Sequence, residues 1–135
     1  ASLGLSQLSK LDKIIKMRQN VANYISNKLK KFSQIITPNI FQGNDHIFQM
    51  YTIRLPNEQI RDNLHDFLLE KKIFSKVYFS PIHLTDYYKS NFPHLENTLP
   101  LTEKISREVL TLPLYPNMNS EEKEFLTSSI SEFFE

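Results

Sequence analysis

The sequence predicts an α+β fold, with helices packed on a small antiparallel or mixed sheet. A helical apolar stripe fills residues 2–32, and short β-branched and aromatic runs interrupt the helical patterns that follow. The resulting order is helix, strand, helix, strand, helix, short strand, helix, which is the order of segregated helices on a sheet rather than of a wound parallel one. A length of 135 residues suits one unit with a sizeable core.

Residues 2–32 read as one long amphipathic helix. Leu8, Leu11, Ile15, Ala22, Ile25, Leu29 and Phe32 follow the helical three-and-four spacing, and Arg18 takes the one stripe position that is not apolar. The same spacing suits a coiled coil, but Lys, Asp and Asn are scattered without e/g pairing, which favours a helix laid across a domain boundary. The run Lys28, Lys30, Lys31 suits the carboxyl end of that helix. This divides the single unit 1–135 into an interdomain helix, 1–32, and a small carboxy-terminal α+β domain, 33–135.

Residues 33–45 read as a loop, with Pro38, the turn signal Gly43-Asn44-Asp45 and a short extended piece at Ile35 and Ile36. His46–Leu55 reads as a strand, with Ile47, Tyr51, Ile53 and Leu55 on one face and Phe48 and Met50 on the other. Apolar residues on both faces suggest a central position. Pro56-Asn57 ends it and caps a helix with Ile60, Leu64, Phe67, Leu68 and Lys71 at helical spacing. A second strand is predicted over Phe74–Phe79, with Val77 and Phe79 sharing a face, and Pro81 ends it. Thr85-Asp86-Tyr87-Tyr88 starts a short helix or turn. A third helix begins near Pro100, with Leu101, Ile105, Val109 and Leu112 as its buried stripe. Pro113 and Pro116 confine Leu112–Pro116 to an edge strand or loop. The last helix is capped at Asn119 or Ser120, with Glu122 completing a capping box and Leu126, Ile130, Phe133 and Phe134 as its stripe.

Composition excludes several functions. The net charge of +1 gives no electrostatic case for nucleic acid or an anionic membrane. No apolar run approaches the ~18 residues of a membrane span. With no cysteine, disulfides, thiolate nucleophiles and cysteine-bound zinc are ruled out, and a reducing, cytoplasmic setting is expected. Only Gly4 and Gly43 occur, too few for a dinucleotide fingerprint or a phosphate loop. The chain opens inside a helical pattern without Met, so it reads as part of a longer protein.

Candidate chemistry is sparse. His46, His65, His83 and His94 lack the i, i+4 spacing of a helical zinc site, and His65 reads as a surface residue. Asp62 and Asp66 lie one helical turn apart but read as a solvated face beside Arg61 and Lys71. A Schiff-base lysine needs burial to lower its pKa. Lys10, Lys13 and Lys16 lie off the apolar stripe, and Lys76, between Ser75 and Val77, is the least implausible without neighbours that make a site. Two segments place hydrogen-bonding residues at strand ends, where sites are commonly built: His46–Arg54 and Val77–Leu84. His46 and His83 are the candidates there, against the alternative of histidines satisfied by nearby backbone.

Four segments carry a resemblance. Ala1–Asp12 is similar to "A-x-L-G-L-x-Q-L-x-K-L-D", His46–Arg54 to "H-x-[FY]-H-x-[YF]-x-I-R", Val77–Leu84 to "V-x-Y-x-P-L-H-L", and Leu110–Pro116 to "L-S-L-P-L-x-P". In this order and at these separations, the chain resembles the carboxy-terminal part of the DegT/DnrJ/StrS family of pyridoxal-phosphate (PLP) dependent aminotransferases of nucleotide-linked sugars. The resemblance implies the small domain of the fold-type-I aminotransferase. It implies PLP in the parent enzyme but no cofactor held by this segment, because the family's Schiff-base lysine, its aspartate at the pyridine nitrogen and its stacking aromatic all lie upstream. It also implies a missing amino-terminal PLP-binding domain, a sugar nucleotide as substrate, and homodimers or self-association through a former interface. By the same resemblance His46, Gln49, Tyr78 and His83 are substrate-binding candidates and no residue is catalytic. Gln49 stands where the family has a second histidine, so a hydrogen bond is kept and a titrating group is lost. Phe79 stands at the family's usual Tyr position, with Tyr78 just before it. Two readings follow: a segment of a sugar aminotransferase, inactive alone, that supplies lid and substrate contacts, or a stand-alone module that binds a ligand or partner without catalysis. In the second, Leu3, Leu5, Leu8 and Leu11 form a sticky patch.

Overall fold

The structure is a computed structural model that describes residues 2–95 and 98–135; Ala1, the first residue of the opening motif, lies outside them. Helix α1 (Ser2–Leu8) and helix α2 (Leu11–Leu29) occupy the stretch expected to be one helix. The interruption falls at Ser9 and Lys10. The Ser9 hydroxyl donates to the Ser6 carbonyl at 3.0 Å, and the Lys10 N–H reaches back only to Gln7, at 3.1 Å. Such local bonds compete with the helical ladder. None of the α1 residues is buried, so packing does not oppose the competition. The apolar stripe becomes core only at Val21, Ala22, Ile25 and Leu29.

Strand β1 (Tyr51–Arg54) pairs antiparallel with β2 (Val109–Leu112), Tyr51 opposite Leu112 and Ile53 opposite Leu110. These four side chains are buried and share one core with α2, with Leu64 and Leu68 of α3 (Glu58–Glu70), and with Leu126 and Ile130 of α6 (Ser120–Phe134). Single antiparallel bridges extend the sheet on both sides, Ile36 to Arg54 and Lys76 to Thr111. The expected small antiparallel sheet packed with helices is therefore present. The caps follow the sequence. The Asn57 side chain accepts from the Ile60 N–H at 2.9 Å, and Asn119 with Glu122 closes both halves of a capping box.

Four local expectations are corrected. The first strand is regular only from Tyr51, because Phe48 adopts a left-handed backbone (φ 46°) that breaks the alternation. Phe48 is therefore buried while Ile47 and Met50 are exposed. The Phe74–Phe79 stretch makes one bridge instead of a strand; Val77 is 42% and Phe79 80% exposed, and Phe79 too has a positive φ, 38°. The third helix, α5 (Pro100–Glu108), stops before Val109, which opens β2. Its inward face is acidic, with Glu103 and Glu108 buried and Leu101 67% exposed, because each carboxylate meets a basic side chain: His83 for Glu103, Arg54 for Glu108. His65, read as a surface residue, is half-buried. Before α5, the expected short helix is α4 (Asp86–Asn91), between turns at Ile82–Leu84 and Pro93–Leu95.

Helix α3 ends in a double backbone cap. The Ile73 N–H donates to Leu68 and the Lys72 N–H to Leu69, both at 2.8 Å, with Lys72 left-handed at φ 60°. A glycine pays less for that conformation than a residue with a Cβ. Lys72→Gly is expected to raise stability by about 0.5–1 kcal/mol in urea unfolding. A second prediction concerns Tyr51, whose hydroxyl lies 2.7 Å from Ser26 Oγ. Burial pushes its pKa from 10.0 up to about 12, outweighing the lowering by Ser26. The folded chain keeps this proton where the unfolded chain loses it. The contribution is thus intact below pH 10 and is lost as the pH rises from 10 to about 12. Tyr51→Phe should flatten this alkaline fall by about 2–3 kcal/mol in unfolding curves recorded across that window.

Candidate functional site

The segment ahead of β1 is shaped by α2. The Arg18 guanidinium donates from one Nη1 to the Phe48 carbonyl at 2.9 Å and the Gln49 carbonyl at 3.1 Å. Gln19 donates to the His46 carbonyl at 3.2 Å. The His46 Nδ1 accepts the Phe48 N–H at 2.9 Å, and the two ring centroids lie 4.3 Å apart with the planes tilted by 42°. These contacts hold Phe48 in its left-handed conformation, ring in the core, and turn Gln49 and Met50 outward. Since Nδ1 is an acceptor, the neutral His46 ring carries its proton on Nε2. Arg18 and Gln19 were not candidates from the sequence. The available signal was Arg18 itself, the single polar residue in an apolar stripe.

On the other side of the sheet pair, residues 73–76 alternate. Ile73 and Ser75 are buried, and Phe74 and Lys76 are exposed. Lys76 exchanges both backbone hydrogen bonds with Thr111, at 2.9 and 2.8 Å. Both backbone groups of Thr111 thus point away from β1, and its pair with Thr52 is of the closer, non-hydrogen-bonded kind. The two hydroxyls accordingly lie 2.8 Å apart. Thr52, Thr111 and Lys76 form one transverse row on the sheet face opposite the core.

Two shallow cavities adjoin this row. One, of about 220 Å³, is lined by Gln49, Met50, Phe74, Lys76, Tyr78 and residues 111–114. The other, of about 370 Å³, is lined by Pro38, His46, Ile47, Gln49, Met50 and Thr52. Gln49 and Met50 line both, so the two neighbouring cavities, together the candidate cleft, take in three of the four candidates: His46 in one, Tyr78 in the other and Gln49 in both. Neither lining includes a carboxylate.

The fourth candidate lies elsewhere. His83 is buried, with Nε2 3.0 Å from Glu103 Oε1. Glu103 in turn lines a separate cavity of about 260 Å³ with Arg61, Phe79 and Arg107. Arg61 is buried and bound to Asp62 at 2.6 Å and Glu58 at 3.2 Å. His83 therefore ties the 81–84 turn to α5 and does not line the cleft.

No lysine of the chain is buried: Lys71 and Lys123 are half-buried, and the others are exposed. Lys71 is held by Glu132 at 2.8 Å. Among the described residues, no group of three His, Cys, Asp or Glu side chains is placed to hold a metal ion, and no helix is long and apolar enough to cross a membrane. The cleft offers hydrogen-bonding groups and one ammonium, a set with the chemistry to hold a polar ligand.

Comparison with known proteins gives a consistent result. The family model described as the DegT/DnrJ/EryC1/StrS aminotransferase family matches residues 1–131. A pleiotropic regulatory protein of Geobacillus stearothermophilus is 37% identical over 101 residues, which cover 74% of this chain and 26% of the relative. The spore coat polysaccharide biosynthesis protein SpsC of Bacillus subtilis is 27% identical, covering 90% of this chain and 32% of the relative. Among solved structures, DesV of S. venezuelae in complex with a ketimine intermediate superposes with a TM-score of 0.85 at 27% identity, over 95% of this chain and 34% of that one. The chain thus spans about a third or less of the length of the relatives it matches.

The Arg18 clamp generates a prediction. Arg18→Ala removes two charge-assisted hydrogen bonds and leaves the Phe48 and Gln49 carbonyls to other partners. It should cost about 1.5–3 kcal/mol and speed hydrogen exchange at residues 46–50 while the lower half of α2 keeps its protection.

Proposed function

The chain belongs to the DegT/DnrJ/EryC1/StrS aminotransferase family, and we propose that it is the carboxy-terminal, substrate-facing part of a sugar aminotransferase, inactive by itself. The observation that carries this reading is the pair of neighbouring acid-free cavities, one lined by His46 and Gln49 and the other by Gln49 and Tyr78. The relatives point to the same chemistry: one takes part in spore coat polysaccharide biosynthesis and another is a GDP-perosamine synthase of Escherichia coli O157:H7.

The family is PLP-dependent, and the coenzyme supplies an electron sink for amino transfer when bound. The residues present here do not fit it. Its aldehyde needs a buried amine, and no lysine of this chain is buried. No step through the coenzyme is derived for these residues. In our reading the amino-terminal PLP-binding portion of the parent enzyme holds it, and this chain closes over the substrate side. The 1–32 stretch then crosses between the two portions. The exposed Leu3, Leu5, Leu8 and Leu11 of that stretch suit packing against that portion or a second subunit. The whole enzyme works in the cytoplasm as a homodimer.

Within the cleft, the His46 Nε2–H donates, the Gln49 amide donates and accepts, and the Tyr78 hydroxyl does both. Such neutral groups read the hydroxyls and phosphate oxygens of a nucleotide-linked sugar. His83 shapes the cleft indirectly, through the turn that follows Tyr78. A stand-alone binding module would use the same groups, but nothing in the geometry favours it over the enzyme reading.

The test is chemical. After incubation of the chain with PLP and reduction with borohydride, mass spectrometry should find only scattered, substoichiometric labelling of surface lysines. One lysine labelled to stoichiometry would overturn the inactive-segment reading.

A further inference from the structure

We propose that Glu103 is a positioning residue of the candidate cleft: through its hydrogen bond to His83 it fixes the far end of the 77–82 segment and so sets where Tyr78 stands. The proposal rests on reading the cleft as the sugar-nucleotide face, and adds to it a residue outside the cleft that governs how tightly the cleft binds.

Three observations carry it. First, residues 77–82 are tied at their two ends. At the near end Lys76 exchanges both backbone hydrogen bonds with Thr111, at 2.9 and 2.8 Å. At the far end the Leu84 N–H donates to the Pro81 carbonyl at 2.8 Å and closes the turn, and the buried His83 of that turn has Nε2 3.0 Å from Glu103 Oε1. Facing a carboxylate, that nitrogen donates. Between the ties, among the described residues, the backbone of residues 77–80 makes no hydrogen bond to another backbone group.

Second, the segment runs between two cavities. Tyr78 lines the cleft cavity of about 220 Å³, whereas its neighbours Val77 and Phe79 line the separate cavity of about 260 Å³ that Glu103 also lines. Phe79 is 80% exposed and sits at a positive φ, 38°, a conformation that a residue with a Cβ adopts only where its surroundings impose it. Packing along the segment is thin, so its end ties decide its course.

Third, both ties lead to one rigid piece. Glu103 lies in α5 and Thr111 in β2, which follows α5 directly. That piece is itself fixed, because β2 pairs with β1 and Glu108 at the end of α5 is bound to Arg54 at 2.7 Å. The α5–β2 junction therefore sets the span between the ties. The Thr111 tie is made by backbone; the Glu103 tie is the one that a single side chain controls. With it in place, Tyr78 is ordered before a ligand arrives. Without it, the segment hangs from Thr111, and ordering Tyr78 in the complex subtracts from the affinity.

The test compares Glu103→Met, which removes the acceptor and keeps the bulk, with Glu103→Gln, whose amide oxygen still accepts from His83. His83→Phe removes the same bond from the other side and carries the test if Glu103→Met does not fold. In the intact 135-residue chain, NMR relaxation and hydrogen exchange should show residues 77–82 loosened in Glu103→Met and His83→Phe, with the paired strands unchanged, and wild-type behaviour in Glu103→Gln. Titration with UDP-glucose, followed at the amides of residues 46–50 and 76–78, should give an affinity about two- to tenfold weaker in the loosened variants, the factor that ordering one side chain on binding costs, and restored in Glu103→Gln. If residues 77–82 stay as ordered as in the wild type, the tie is wrong. If they loosen while UDP-glucose binds as before, Glu103 is a brace of the fold and not a positioning residue, and the cleft reading survives. If UDP-glucose shifts none of these amides in the unaltered chain, the sugar-nucleotide reading fails and the positioning role falls with it, whatever the segment does.

Discussion

The antiparallel pairing of residues 51–54 with 109–112 sets both sides of this molecule at once. With Tyr51 opposite Leu112 and Ile53 opposite Leu110, four large side chains face the helices and are buried. The same register puts Thr52 against Thr111 on the other face, and the bridge from Thr111 brings Lys76 into line. Side chains alternate with a period of two, so a slip of one residue would place threonines in the core and isoleucine and leucine on the cleft. The hydrophobic requirement of one face thus fixes the polar arrangement of the other.

The second constraint lies where regular pairing stops. A strand continued back to His46 would put Phe48 on the same face as Met50 and Thr52, away from the core. The left-handed residue at 48 reverses this, sending an aromatic ring inward and Gln49 to the cleft. A phenylalanine adopts that conformation only when its surroundings impose it, and here Arg18, Gln19 and His46 supply the bonds that do so. The core helix is therefore also the scaffold of the candidate site.

Acidic and basic groups divide along similar lines. Glu103 and Glu108 are drawn inward by His83 and Arg54, and Glu58 and Asp62 hold the buried Arg61. Those pairs brace α5 and the 81–84 turn. The two cavities beside the Thr52–Thr111 row, by contrast, are lined without acids.

Local sequence by itself determined the capped helices, because Asn57, Asn119 and Glu122 act on backbone groups within a turn of themselves. Through helical spacing it marked Ala22, Ile25, Leu29, Leu64, Leu68, Leu126 and Ile130 as core, but not the buried Val21, Arg61, Thr127 and Ser129, and four spaced motifs carried the family. Only tertiary structure decided the rest. Whether Leu3, Leu5 and Leu8 are covered depends on a surface to meet them, and periodicity cannot say whether one exists. Val109 and Leu112 fit a helical stripe and a strand equally well, and the partner strand settled the choice. His46, Gln49 and Tyr78 come to neighbouring cavities, and His83 does not, because a backbone reversal at Phe48 and a buried Glu103 direct them. Both depend on contacts between residues tens of positions apart, which no local pattern encodes.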